Sequence, residues 1–245
     1  TDKMHAEIYF GNNGYKFDLS PTADNRIIFE SERSWFGGFY YSSTYSKLLG
    51  AGHEESKLKD ATDSYSPYVR ESLRNWRIYH FHDTSDTAKV KQKHQSNDNL
   101  RLKIDASNLA AYLKMLSEKY PSEYLRIIET IRLVAPFFGD FVHRDGDLIE
   151  LEWNQVGKPD TPFKAHILSD GTLRFICLMT LLLQPVSLLP DTILIDEPEL
   201  GLHPYAISIL GDVLKQVSED RQLIISTQSV ELVNEFSPND IVVVD

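Results

Sequence analysis

Two carboxylates stand side by side where an apolar run ends, in Thr192-Ile193-Leu194-Ile195-Asp196-Glu197-Pro198-Glu199. The run has the continuous apolar character of a buried parallel strand. Strand stability does not call for two adjacent acids there, because an unpaired buried carboxylate is costly. Open α/β sheets carry their ligands at the carboxyl ends of strands. Asp196 and Glu197 are therefore expected at the carboxyl edge of a sheet, facing a cleft. Such a pair can hold a hard divalent cation through one carboxylate and activate a water with the other. A strand that stops in a polar turn is the plain alternative.

The neighbouring segments bear on that choice. Upstream, Leu168-Ser169-Asp170-Gly171-Thr172 opens an apolar segment that runs through Leu183. Ser169 reads as an N-cap and Asp170, Gly171 and Thr172 as a first helical turn. Its free N–H groups and positive dipole end suit an anion. Taken by itself, an ordinary helix cap is the simpler account. Downstream, Gly201-Leu202-His203-Pro204 precedes a helix, and the strand Leu223–Thr227 ends at Gln228.

An LSDGT signature, an ILIDEPE strand, a GLHP turn and an IISTQS strand, in this order and spacing, resemble the ATP-binding-cassette ATPases. Within them the sequence is most similar to the RecF/SMC-like ATPases of bacteria. Residues 76–85 and 131–138 share the likeness. The resemblance implies an α/β fold, a P-loop NTPase of the ABC/RecF-SMC type, with a parallel-sheet core, an antiparallel β-meander and a helical insert. It implies ATP and Mg²⁺ as cofactors, with ATP sandwiched in an ATP-dependent homodimer. In that setting Asp196 stands on the metal and Glu197 is the general base. Leu168, Ser169, Asp170, Gly171 and Thr172 form the turn that meets the γ-phosphate held by the partner subunit. His203 falls where many relatives carry the aspartate of a dimer-contact loop, although a turn opening the next helix is an equal reading. Gln228 stands where many relatives have a histidine on the γ-phosphate. Glutamine donates a hydrogen bond but cannot shuttle a proton, so slow turnover is expected. His82 and Asp83 are candidates for the Gln-loop role.

The sequence departs from the pattern elsewhere too. Asp170 and Thr172 differ from the common LSGGQ. No G-x-x-x-x-G-K-[ST] loop occurs in the 245 residues, so the backbone cradle and lysine for the β- and γ-phosphates are missing. The expectation is that this loop lies before Thr1, and that the chain alone binds ATP poorly and does not hydrolyse it.

Composition narrows the alternatives. The 36 acidic residues outnumber the 25 lysines and arginines, for a net charge of −11. That argues against a broad non-specific nucleic-acid surface, while leaving room for a local DNA contact or a protein partner. The single cysteine, Cys177, sits in an apolar segment, cannot form an internal disulfide and points to a reducing compartment. No secretory signal is visible, and the longest apolar run, Phe175 to Leu183, is too short to cross a bilayer. A soluble, cytoplasmic protein with no membrane partner is expected. No zinc-ligand spacing and no serine-nucleophile elbow occurs.

The elements that must position these residues follow from patterning. Residues 1–30 read as an antiparallel meander with strands at Glu7–Phe10, Tyr15–Leu19 and Arg26–Glu30. Residues 31–75 read as an irregular insert, with an aromatic cluster over Trp35–Tyr45 and weak helical character over Leu48–Lys59. Residues 76–167 read as a lobe with a strand at Trp76–Phe81, a basic loop at Lys89–His94, a helical hairpin and a β-hairpin. The helices are expected at Leu109–Lys119, capped by Ser107 or Asn108, and from Pro121 to Val134, with Leu125, Ile128, Ile131 and Arg132 in register. The β-hairpin, Phe141–Trp153, turns at Asp145-Gly146, and a strand at Phe163–Ile167 follows. Residues 168–245 read as signature helix, then alternating strands and helices, with strands at 192–196, 222–227 and 241–244. A non-catalytic nucleotide-sensing or protein-interaction module is the leading alternative function. The motor subunit of a membrane transporter fits less well.

Overall fold

The computed structural model describes residues 3–37 and 45–244, in two compact units that divide after Trp76. In the first, β1 (Met4–Phe10), β2 (Asn13–Pro21), β3 (Ile27–Phe36) and β4 (Tyr45–Gly50) form an antiparallel sheet in sequential order. Period-two patterning puts Tyr15 and Phe17 on one face. There they pack with Leu58 and with Val69 of α1 (Ser66–Arg74). The expected irregular insert over 31–75 is thus largely regular. β3 continues through Phe36, and the weak helical pattern over 48–59 resolves into the end of β4 and a single 3₁₀ turn at Lys57–Asp60. Strand pairing overrides local propensity here. Of the aromatic cluster, Trp35 is buried, with its ring edge-on to Tyr9. Residues 38–44 lie outside the described residues.

Glu32 is fully buried in this unit. Its carboxylate accepts hydrogen bonds from the Tyr15 hydroxyl at 2.5 Å, the Lys57 amide at 2.9 Å and Ser56 Oγ, and it meets His53 Nε2 at 2.8 Å. Burial pushes the carboxyl up, but these bonds outweigh it and hold Glu32 below the usual carboxylate range.

The second unit is α/β, with parallel and antiparallel sheets. β5 (Trp76–Tyr79) flanks β11 (Thr192–Asp196), which pairs in parallel with β12 (Gln222–Ser226), from Thr192↔Gln222 to Asp196↔Ser226. Between β5 and β11 the chain forms β6 (His94–Gln95), α2 (Leu109–Lys119), α3 (Pro121–Val134), β7 (Phe138–Phe141), β8 (Leu148–Ile149), β9 (Glu152–Gln155), β10 (Lys158–Lys164) and α4 (Asp170–Leu182). α5 (Pro204–Ser218) connects β11 to β12, and α6 (Val230–Val233) follows β12. From Leu173 to Leu182 every residue of α4 is buried. A helix apolar all round belongs inside a core. Phe138 stacks on Trp153 behind it, ring centroids 5.6 Å apart.

Several expectations shift. On α3 Ile128 and Ile131 are buried as expected, but Leu125 and Arg132 are exposed, and Tyr124 and Ile127 complete the buried face. Phe141 does pair with Trp153, but the segment between them is no simple hairpin, because β8 leaves to pair with β6. The Phe163–Ile167 segment ends β10 and then makes a 3₁₀ turn. Residues 241–244 form no strand, and Val242, Val243 and Val244 are 82–88% exposed. Their β-propensity finds no neighbouring strand to pair with among the described residues. No helix among these residues is long and apolar enough to cross a membrane.

The Glu32 cluster sets a pH test. A carboxyl held low by its partners stabilises the fold above its unfolded pKa, about 4.3, and loses that contribution as pH falls through the folded value. Glu32→Gln is expected to cost the first unit about 2 kcal/mol at pH 7, read from hydrogen-exchange protection of β2 and β3 amides. The gap to wild type should narrow below pH 4. A gap undiminished at pH 3 contradicts the assignment.

Candidate functional site

The parallel register of β11 with β12 brings their carboxyl ends to one level. Asp196, the last residue of β11, accepts a hydrogen bond from Ser226 Oγ, the last side chain of β12. Its backbone carbonyl accepts from His82 Nε2 at 2.8 Å, which places the proton of that ring on Nε2. Glu197 has a positive φ of 41°. A non-glycine residue in that region is strained, and such strain collects at functional turns. Two backbone bonds hold the conformation, from the Glu197 amide to Ser226 O at 2.8 Å and from the Leu200 amide to Glu197 O at 3.1 Å. The Glu197 carboxylate makes no hydrogen bond or ion pair among the described residues. Two positions on, Glu199 Oε1 accepts from Thr227 Oγ1 at 2.6 Å, while its Oε2 is buried with no partner. An orphaned buried carboxylate oxygen leaves room for a water or an ion.

The donors gathered here are oxygens, which suit a hard divalent cation. Among the described residues no group of three His, Cys, Asp or Glu side chains gathers to hold a metal. A cation at Asp196 would keep waters or ligand oxygens in most positions, which is the habit of Mg²⁺.

The Leu168–Thr172 turn lies against the turn that follows β11. Leu168 is buried, and Ser169 caps α4, its Oγ accepting from the Thr172 amide at 3.2 Å. Asp170 is exposed, 3.8 Å from the buried Lys91 Nζ. A Cβ on Gly171 would lie 2.3 Å from Gly201 O, so only glycine permits this approach. His203 caps α5, its Nδ1 accepting from the Tyr205 amide at 3.3 Å, and remains exposed. Gln228 is exposed just beyond β12. The structure therefore brings Asp196, Glu197, Ser226 and His82 together, and separately joins the Gly171 turn to Gly201. Asp83 turns aside to accept from Ser85, leaving His82 as the residue that reaches the strand end.

A family model described as "AAA domain, putative AbiEii toxin, Type IV TA system" matches residues 2–234. The chain belongs to this AAA-domain family. Membership agrees with the RecF/SMC-like ATPase class that the motifs resemble. No curated protein matches the AAA domain. Among solved structures it is similar to an SMC head domain from Thermotoga maritima at 11% identity and TM-score 0.40, covering 92% of this chain and 68% of that one. An Smc head bound to the C-winged helix domain of ScpA gives 13% and 0.46, covering 92% and 69%. An Smc head domain with an extended coiled coil, bound to the C-terminal domain of ScpA derived from Pyrococcus furiosus, gives 13% and 0.43, covering 92% and 73%.

Two basic residues of the AAA domain escape motif reading. Arg174 on α4 is buried and donates to Phe81 O and His82 O at 3.0 Å each, and to Leu200 O. One guanidinium thereby joins the loop after β5, the turn after β11 and α4. Burial lowers its pKa, partly offset by the Asp170 charge. Burial also pushes the Cys177 thiol up to about 12, so this cysteine is an inert core residue. Lys91 donates to Thr84 O at 2.6 Å and is buried, while Lys89 pairs with Asp105 at 3.0 Å. Lys91 thus has a structural role in the basic loop. A signal for Arg174 existed in the sequence. It is the lone charge in the apolar run from Leu173 to Leu183, and burying a charge demands compensating bonds.

Lysine cannot span three carbonyls from one planar fork. Arg174→Lys is expected to lower stability by about 2–3 kcal/mol, measured as the urea midpoint at unchanged slope. A change under about 0.5 kcal/mol would show that the three bonds are not formed together.

Proposed function

We propose that this AAA domain is the ATP-hydrolysing head of a RecF/SMC-like switch, with ATP and Mg²⁺ held between two copies in an ATP-dependent homodimer. The single observation that carries this reading is the strained Asp196-Glu197 turn at the paired ends of β11 and β12, with one carboxylate held by Ser226 and the next left free. Mg²⁺ supplies charge neutralisation on the phosphate oxygens when bound. Asp196, fixed by Ser226, would hold it, directly or through a water. The Glu197 carboxylate accepts a proton from the attacking water as the γ-phosphoryl passes to that water, leaving ADP and inorganic phosphate. Ser169 Oγ and the amides near Gly171 of the facing copy donate to the γ-phosphate. His203 faces the same interface, and Gln228 donates a hydrogen bond to the γ-phosphate without moving a proton. His82, bonded to the Asp196 carbonyl and sharing Arg174 with the Leu200 turn, links nucleotide state to the signature helix. The output is the closing and opening of the dimer, acting on DNA or a protein partner.

One observation favours a second reading, a nucleotide-sensing or interaction module without turnover. No G-x-x-x-x-G-K-[ST] loop is among these residues, so the site described supplies the metal and water side of the chemistry and not the phosphate cradle.

The test uses protein expressed from its native gene with saturating ATP and Mg²⁺. Glu197→Gln is expected to lower phosphate release at least ~100-fold while ATP binding persists. Full hydrolysis in that variant would remove Glu197 as the base. Absence of both binding and hydrolysis in wild type would favour the second reading. Gln228→His is expected to speed turnover, and an unchanged rate would take Gln228 out of the site.

A further inference from the structure

Three bonds in succession cross from the turn after β11 to the end of β12. Asp196 accepts from the Ser226 hydroxyl, the Glu197 amide donates to Ser226 O, and Glu199 Oε1 accepts from Thr227 Oγ1 at 2.6 Å. The first two belong to the site already described. The third comes from a carboxylate that the proposed chemistry does not use. It is also the one that reaches past the strand, because β12 ends at Ser226 and Thr227 opens the segment that carries Gln228.

Both ends of that third bond are anchored. On one side the Leu202 amide donates to Glu199 O at 2.9 Å and closes the turn, and the neighbouring Leu200 O accepts from Arg174. On the other, Thr227 Oγ1 accepts from the Ser229 amide at 3.0 Å while it donates to Glu199. A hydroxyl has one proton and two lone pairs, so both bonds form at once, and a carboxylate acceptor fixes the direction of the O–H. Ser229 Oγ in turn accepts from the Leu232 amide at 3.2 Å, and Leu232 is fully buried in the core. Gln228 is the exposed residue between two anchored neighbours. Its own side chain makes no hydrogen bond or ion pair among the described residues.

Stability does not account for Glu199. Its Oε2 is buried without a partner, and a carboxylate oxygen left unbonded away from water is costly. No lysine, arginine or histidine pairs with it among the described residues. A buried polar atom kept unsatisfied calls for a role other than packing. What the carboxylate supplies is geometry. It is a strong, directional acceptor that ties the segment carrying Gln228 to the turn carrying Glu197.

We infer that Glu199 is a positioning residue for the γ-phosphate end of the site: through Thr227 it holds Gln228 in register with Glu197. The effect on turnover rests on the ATP-hydrolysing function proposed above, whereas the tie itself is a property of the nucleotide-free fold. Glu199 acts through Thr227 and moves no proton.

The test pairs hydrogen exchange of the nucleotide-free protein with steady-state ATP hydrolysis, both on protein expressed from its native gene. Thr227→Val keeps the shape and loses the hydroxyl, Thr227→Ser keeps the hydroxyl, and Glu199→Ala removes the acceptor alone. Thr227→Val and Glu199→Ala are each expected to lower protection of the Ser229 amide roughly fivefold and kcat roughly tenfold, with KM for ATP within about twofold. Thr227→Ser should stay within about twofold of wild type in all three. In a Gln228→Ala background neither Thr227→Val nor Glu199→Ala should lower kcat further by more than about twofold. A merely structural role would add in full to the effect of Gln228→Ala, and that additivity overturns the inference. Unchanged Ser229 protection in Glu199→Ala overturns it too. A wild type that binds ATP without hydrolysing it removes the proposed function and not the tie, which the exchange measurement then decides alone.

Discussion

The Arg174 guanidinium is the interaction on which the arrangement of the site rests. It is a buried cation with no ion pair among the described residues, satisfied by three backbone carbonyls from two loops. Those carbonyls belong to residues 81, 82 and 200, which flank the Asp196-Glu197 turn on either side. Carbonyl acceptors fix backbone where a carboxylate partner would fix only a side chain. A shift of α4 therefore moves both loops or leaves a charge unpaired in the core, and the second outcome is the costlier. The close approach of Gly171 to Gly201 reinforces the same join from the other side of the helix start.

Against that frame the β-sheet does a simpler job. Parallel pairing of β11 with β12 sets Asp196 beside Ser226 and delivers Glu197 into a conformation that side chains seldom adopt. The Ser226 carbonyl accepts from the Glu197 N–H and pins the turn. One carboxylate becomes fixed and the next stays free, a division suited to a metal-orienting group beside a base.

The sequence made the strand–helix–strand core legible because its signals are local and strong. The apolar run 192–195, the Ser169 cap and the His203-Pro204 helix start each report one element, and β11, α4 and α5 form where they indicate. Patterns that depend on a distant partner were harder to read. β4 looked partly helical because its pairing with β3 is invisible in a local window. Leu148 and Ile149 looked like part of a hairpin, although β6 claims them from some 50 residues upstream. Val242–Val244 looked like a strand from propensity alone, and propensity without a neighbour does not make one. At the site, the motif residues were legible as types and Arg174 as a lone charge in an apolar run, but the bonds that Arg174, Lys91 and His82 make were not. Those are long-range bonds to backbone atoms, which carry no residue identity in the sequence.

The central claim is that nucleotide joins two copies of this domain through the Ser169–Gly171 turn. Its most direct measurement is the molar mass by light scattering of the natively expressed protein, with and without ATP and Mg²⁺, for wild type and for Ser169→Arg. The account predicts that mass doubles with ATP for wild type and stays at the nucleotide-free value for the variant. Doubling in both proteins would contradict the placement of that turn at the interface. An unchanged mass in wild type that demonstrably binds ATP would contradict the switch itself.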